Sequence, residues 1–263
     1  RLFSPTIHTT HRRWRRGRPV AHPVIPIGFK AEAPSWAMRL LSLLRPAKEV
    51  PLTWWSADDP MTTRPRAQTL AILLIGLWIF GTGDAILIAA GIGNTPWTVL
   101  AEGIAKNIDR SVGQATFLVS VAVLFLWIPL KEKPGIGTIL NVIFIAAAIE
   151  VMVPRLPTPD SFEIALFQVL AGVLLIGIGS GLYLTANLGP GPRDGWMTGL
   201  QKVSGFPIGR VRAAIEVSVL ALGWLLGGTF WIGTILFAVL IGPVVAICLN
   251  IAGRLGQPGE VHG

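Results

Sequence analysis

Three carboxylates, Asp84, Glu150 and Glu216, lie inside long apolar stretches of this chain. An ionisable group in such a stretch is expensive and marks either function or a built-in partner. Asp84 is the leading site candidate; the competing reading is a carboxylate neutralised by an arginine such as Arg212. Glu150 stands near the end of its stretch, where water reaches it. Glu216 comes one helical turn after Arg212, the spacing of an i,i+4 ion pair. A second cluster, Asn187, Arg193 and Asp194, sits at a break rich in Gly and Pro and can hold an anionic or zwitterionic group. The simpler alternatives are a helix cap for Asp194 and a topology charge for Arg193.

Other chemistries are poorly supplied. His8, His11, His22 and His262 all lie towards the ends, and Cys248 is the single cysteine. No intrachain disulfide can form, and no His-based metal site or cofactor is expected among the apolar segments. Gly177-x-Gly179-x-Gly181 has the small-residue spacing that lets helices approach; no strand surrounds it, so it is not a dinucleotide fingerprint. There is no Walker A sequence, zinc-protease motif or nucleophile elbow. An enzyme is therefore not expected.

The elements that carry these residues are set by hydropathy. Of 263 residues, 52% are hydrophobic and 14% charged, and the mean hydropathy is +0.62. Apolar runs near 69–91, 112–130, 135–153, 163–187, 208–227 and 231–251 predict six transmembrane helices, each long enough for a hydrocarbon core of about 30 Å. The net charge of +8 falls mainly outside these runs. It reads as a topology signal rather than as nucleic-acid binding. Arg64, Arg66, Lys131, Lys133, Arg193, Lys202, Arg210, Arg212 and Arg254 fall on one side, and the opposite loops are poorer in Lys and Arg. Both termini are then cytoplasmic.

The chain is also written twice. Gly137-Thr138-Ile139-Leu140 returns 96 positions later as Gly233-Thr234-Ile235-Leu236. The same shift carries Gly93 to Gly189, Pro96 to Pro192, Gly103 to Gly199 and Gly113 to Gly209. Gly81-x-Gly83 matches Gly179-x-Gly181 at a shift of 98, as if two residues had slipped, which pairs Asp84 with Leu182. Three spans per copy is an odd number, so the second copy enters from the opposite side. The two are inverted repeats, as in many secondary transporters.

Each first span ends in a Gly-Pro break and then a short amphipathic segment, Trp97 to Asn107 and Arg193 to Val203. Neither is long enough to cross. Each is either a helix in the interface or a re-entrant half-helix lining a cavity. Gly81, Gly83, Gly93, Pro96, Gly179, Gly181, Gly189 and Pro192 are the structural breaks of this scaffold.

The chain divides into a basic N-terminal tail expected to be disordered over residues 1–65, repeat 1 over 66–155, repeat 2 over 160–252, and a C-terminal tail over 253–263. The Arg12–Arg18 cluster suits an anionic membrane surface or a transit peptide. Met38 and Met61 are both plausible starts, and residues 1–37 are expected to have no native role. Trp54-Trp55 with Asp58-Asp59 reads as an interfacial aromatic pair beside an acidic turn.

The run Gly179-x-Gly181-Leu182-Tyr183-Leu184-x-Ala186-Asn187-Leu188-Gly189-x-Gly191-Pro192-Arg193-Asp194-Gly195, with Ile232-Gly233-Thr234-Ile235-Leu236, resembles the YczE branch of the YczE/YyaS/YitT bacterial membrane proteins. Pro96-Trp97-Thr98-Val99-Leu100 is similar to that family's Pro-Trp-Asp-Val-Leu, with Thr98 in place of the Asp. The resemblance covers roughly residues 65–252. It implies a bacterial inner (plasma) membrane location and no settled activity. Any role of the signature Asp would pass to Asp194, which stands 96 positions after Thr98.

The expected fold is an all-α, polytopic bundle of six spans in two inverted three-helix repeats. The expected function is a small-molecule transporter or permease working by alternating access, with Asp84, Asn187, Arg193 and Asp194 as substrate-binding residues. The alternative is a non-transporting accessory or scaffold protein that assists a membrane-associated enzyme or assembly. Partners are the lipid bilayer, a small-molecule substrate and a second copy of the chain, with no nucleic acid. Transport requires polar side chains from both halves around one central cavity; the accessory reading requires an apolar, tightly packed centre.

Overall fold

The computed structural model describes residues 47 and 49–257. The Arg12–Arg18 cluster, both terminal extremes and the candidate start at Met38 lie outside the described residues. Helices run in the order α1 (Ala67–Ala90), α2 (Pro96–Ile108), α3 (Val112–Phe125), α4 (Trp127–Leu130), α5 (Ile136–Met152), α6 (Phe162–Thr185), α7 (Pro192–Ser204), α8 (Ile208–Leu225) and α9 (Ile232–Leu255). Among the described residues no strand occurs. Five segments are long and apolar enough to cross a membrane: α1, α3 with α4, α5 with the 3-10 turn Val153–Arg155, α6, and α9. The remaining long helix, α8, has 18 residues and includes Arg210, Arg212 and Glu216.

Local chemistry sets the ends. Pro129 has no N–H to offer the Phe125 carbonyl, so the helix begun at Val112 breaks at Leu126 and restarts as α4. Both short helices start on a proline, α2 at Pro96 and α7 at Pro192, where the missing N–H is harmless. Thr95 caps α2 by accepting from the Thr98 N–H at 3.2 Å. Helix α9 runs on to Leu255, so part of the expected C-terminal tail is helical.

The duplication is visible in the backbone. Among the described residues, every residue with positive φ has its counterpart 96 positions away: Gly91 with Asn187, Gly93 with Gly189, Asp109 with Gly205, and Lys131 with Gly227. The Gly-Thr-Ile-Leu segments open α5 and α9. The Gly137 N–H donates to the Leu188 carbonyl at 2.7 Å, and the Gly233 N–H donates to the Ile92 carbonyl at 2.7 Å. Helices α5 and α9 thus each use a first-turn N–H, which has no intrahelical partner, to hold the break of the other copy.

Helices α1 and α6 cross closely at the centre. A Cβ on Gly179 would lie 2.6 Å from the Gly76 carbonyl oxygen, and one on Gly83 would lie 2.7 Å from that of Gly172. These pairs interchange under a shift of 96, so the packing sets the register of the first helices at 96 and not at the 98 suggested by the Gly-x-Gly pairs. Asp84 then corresponds to Ser180 rather than to Leu182.

Two layers result. Helices α2, α3, α7 and α8 share one core that includes Trp97, Ala101, Val119, Met197 and Ile215. Helices α1, α5 and α6 bury Leu73, Leu77, Ile145, Ile149 and Tyr183, and α9 packs on α6 through Leu236, Leu240 and Val244. Residues 49–65, expected from the sequence to belong to a tail, are held by specific bonds. The Trp55 indole donates to Thr185 Oγ1 at 3.0 Å, and the Ala57 N–H donates to the Ala186 carbonyl. Trp55 is only 6% exposed against 46% for Trp54, so a single member of that aromatic pair faces outwards.

Gly179→Ala should force α1 and α6 apart and lower stability by about 1–3 kcal/mol. Gly242→Ala, whose added methyl meets nothing within 4 Å beyond its own stretch of helix, should cost nothing. Thermal unfolding of both variants in detergent checks the difference.

Candidate functional site

A cavity of about 300 Å³ lies between the two layers. Its walls come from both copies, often as residues 96 positions apart: Phe80 with Ile176, Pro96 with Pro192, Trp97 with Arg193, Ser120 with Glu216, Asn141 with Phe237, and Ile145 with Ile241. The first turns of α2 and α7 both reach it, through Thr95–Trp97 and Pro192–Asp194.

The charged residues belong to the second copy. Arg193 stacks its guanidinium 5.1 Å from the centroid of the Trp97 ring, so two copy-related residues meet face to face. Cation–π contact of this kind strengthens where water is excluded. Trp97 also meets Trp196 edge-on at 6.1 Å. Asp194 Oδ2 accepts from the Tyr183 hydroxyl at 3.1 Å. Arg212 Nε donates to Glu216 Oε1 at 2.9 Å, the i,i+4 pair expected from the sequence.

Asp84 is fully buried. Its carboxylate accepts from the Thr98 hydroxyl, which lies 2.9 Å from both oxygens, and Thr98 in turn lies 2.8 Å from the Thr95 hydroxyl. Thr95 reaches the cavity wall, so a chain of two hydroxyls joins Asp84 to the cavity. Arg212, the partner considered from the sequence, is paired with Glu216 instead. Thr98 is thus the partner of the Asp84 carboxylate.

The four sequence candidates separate. Arg193 and Asp194 line the cavity, Asp84 stands behind Thr98, and Asn187 does not line it. Asn187 sits in the left-handed region with φ of 53° and donates from Nδ2 to the Ala57 carbonyl at 2.8 Å, tying the N-terminal segment to the end of α6. Glu150 is exposed and bonded to the Ser111 hydroxyl. Sequence reasoning missed Asn141, Ser180 and Tyr183 as polar wall, although Tyr183 is the single tyrosine of the chain. Among the described residues no cluster of His, Cys, Asp and Glu suited to a metal occurs.

The ends of the two short helices are held unequally. Glu102 on α2 accepts from the Thr229 N–H at 2.8 Å, the Thr229 hydroxyl at 2.7 Å, Asn94 Nδ2 at 2.8 Å and Lys106 Nζ at 2.8 Å. This fastens the turn between α8 and α9. The copy-related position on α7 is Thr198, and the corresponding turn is tied by Lys202 to Glu132 at 2.6 Å, with Lys202 largely exposed.

The comparisons with known proteins agree on a family. Residues 67–250 match a family described as "Family of unknown function (DUF6198)". The chain belongs to that family. It is 44% identical to an uncharacterized protein of Haemophilus influenzae over 206 residues, covering 78% of this chain and 94% of that protein. It is 29% identical over 186 residues to the uncharacterized membrane protein YczE of Bacillus subtilis, covering 67% and 86%. YyaS of the same organism is 25% identical over 184 residues, covering 68% and 92%. No solved structure matches. With its apolar helices, the chain is a YczE-type multi-pass membrane protein in contact with the lipid bilayer.

Burial opposes ionisation of Glu102, but Lys106 and Thr229 outweigh it and hold the carboxyl below its ordinary value. A depressed carboxyl adds stability above its unfolded pKa and loses it as pH falls through the folded one. Wild type should therefore exceed Glu102→Gln in thermal stability at pH 7, and the gap should close on acidification below about pH 4. Melts of both proteins across that range check this.

Proposed function

We propose that this protein is a small-molecule transporter of the bacterial plasma membrane, built from two inverted repeats of three spans, with the central cavity as its substrate site. The observation that carries the reading is the cavity itself. It carries polar and charged side chains on a largely apolar wall, lies where the two copies meet, and is walled by copy-related residues from both. An accessory protein has no need of polar groups from both halves at its centre.

The sixth span of this reading is α8. Val217, Leu222, Trp224 and Leu225 are exposed and apolar, Arg212 and Glu216 border the cavity, and Arg210 and Arg212 are exposed near the start of the helix. Its three charges fall in its first half, and 18 residues rise about 27 Å. Helices α2 and α7, packed between α3 and α8, act as re-entrant half-helices whose N-termini face the site. Alternating access would rock one layer against the other. The end tied by Lys202 and Glu132 would open more readily than the end fastened by Glu102.

Purified protein in proteoliposomes should take up at least one solute from a metabolite panel. Asp194→Asn and Asp84→Asn should each reduce uptake about tenfold or more, the scale of one lost charge-assisted bond. If no solute moves, or both variants match wild type, the reading is wrong. For topology, a Cys248→Ser background with Thr229→Cys should react with an impermeant thiol reagent on intact cells. Lys202→Cys should react only after permeabilisation.

A further inference from the structure

The charged groups at the cavity divide into those already matched and those left over. Glu216 is matched by Arg212, Asp84 by the Thr98 hydroxyl, and Asp194 Oδ2 by the Tyr183 hydroxyl. The Arg193 guanidinium, fixed against Trp97, has no hydrogen-bond or ion-pair partner among the described residues. Asp194 Oδ1 likewise accepts no bond among them. A guanidinium offers five donors and a carboxylate oxygen two acceptor positions, so both groups retain unused bonding capacity at the wall of a central cavity. Both residues are part-exposed at the cavity wall, so a ligand can reach them.

We infer that the site takes a small zwitterion of the amino-carboxylate type with an apolar substituent, its carboxylate on Arg193 and its ammonium on Asp194. Binding of this kind stands on the cavity alone; passage of the ligand across the membrane rests on the transport reading. Charge disfavours the simpler ligands. A plain anion on Arg193 would face the Asp194 carboxylate on the same wall. A plain cation on Asp194 would face Arg193, while Arg212 is already paired with Glu216. A ligand carrying both charges meets each with its opposite. Arg193 and Asp194 both line the cavity from the first turn of α7, so one small ligand can meet both. The rest of the wall fits the substituent: Phe80, Ile145, Ile176, Phe237 and Ile241 are apolar. A cavity of about 300 Å³ holds a molecule of amino-acid size and is small for a nucleotide.

The test uses the full chain in lipid nanodiscs and three probes of one skeleton: L-leucine, 4-methylpentanoate, which lacks the amine, and 3-methylbutylamine, which lacks the carboxylate. Calorimetry on wild type should show leucine binding about tenfold or more tighter than either half-analogue, the scale of one charge-assisted contact. Arg193→Gln should weaken leucine and 4-methylpentanoate but not 3-methylbutylamine; Asp194→Asn should do the reverse for the two half-analogues. The wild-type comparison stands even where a variant fails to fold. No leucine binding, or 4-methylpentanoate binding as tightly as leucine, overturns the inference. Leucine binding without uptake overturns transport and leaves the site; uptake of another solute without leucine binding does the opposite.

Discussion

The structure depends on a reciprocal clasp of two hydrogen bonds, Gly137 N–H to the Leu188 carbonyl and Gly233 N–H to the Ile92 carbonyl. A break between helices leaves backbone groups that need partners. Here each copy supplies, at the start of α5 or α9, the donor that the break of the other copy needs. Only glycine allows the approach, since a Cβ on Gly137 would stand 2.7 Å from the Leu188 oxygen. With the breaks held, α2 and α7 must begin at the centre of the molecule, and their first turns become cavity wall. Neither half could hold its own break in this way.

A duplicated backbone carries one-sided chemistry. Where the second copy has Arg193, Asp194, Arg212 and Glu216, the first has Trp97, Thr98, Thr116 and Ser120. In a cavity of low effective dielectric, two full sets of such charges would have to be desolvated together, at a cost their mutual attraction need not recover. One set, with hydroxyls and an indole opposite, keeps the acids bonded and gives Arg193 an aromatic face to rest on. The first copy adds its own carboxylate, Asp84, deeper and reached only through Thr98. The inequality extends outwards, to the dense bonding of Glu102 at one end and the exposed Lys202–Glu132 pair at the other.

Much of the architecture was legible in advance because it is periodic or local. Gly and Pro report backbone conformation directly, so the shift of 96 announced the duplication, the breaks and the short helices, and the same shift reappears in every described pair of positive-φ residues. The Arg212–Glu216 pair is fixed by one helical turn and needed no tertiary information. The Gly-x-Gly pairs misled because both lie within regular helix, where sequence sets no register; contact between Gly76 and Gly179 sets it. Asn187 stands near Arg193 in the chain, and its amide bonds the Ala57 carbonyl, a contact that no local pattern reveals.

The sequence by itself determined that the chain is a membrane protein, that its backbone is duplicated, and where its helices break, because hydrophobic length and the stereochemistry of Gly and Pro are properties of short stretches. Tertiary structure alone decided which polar residues share a space. Thr98 became the partner of Asp84, Trp97 the bed of Arg193, and Ser180, Asn141 and Tyr183 part of one wall. Those pairings join different helices, and side-chain bonds of a few ångströms depend on how the two layers pack rather than on any spacing along the sequence.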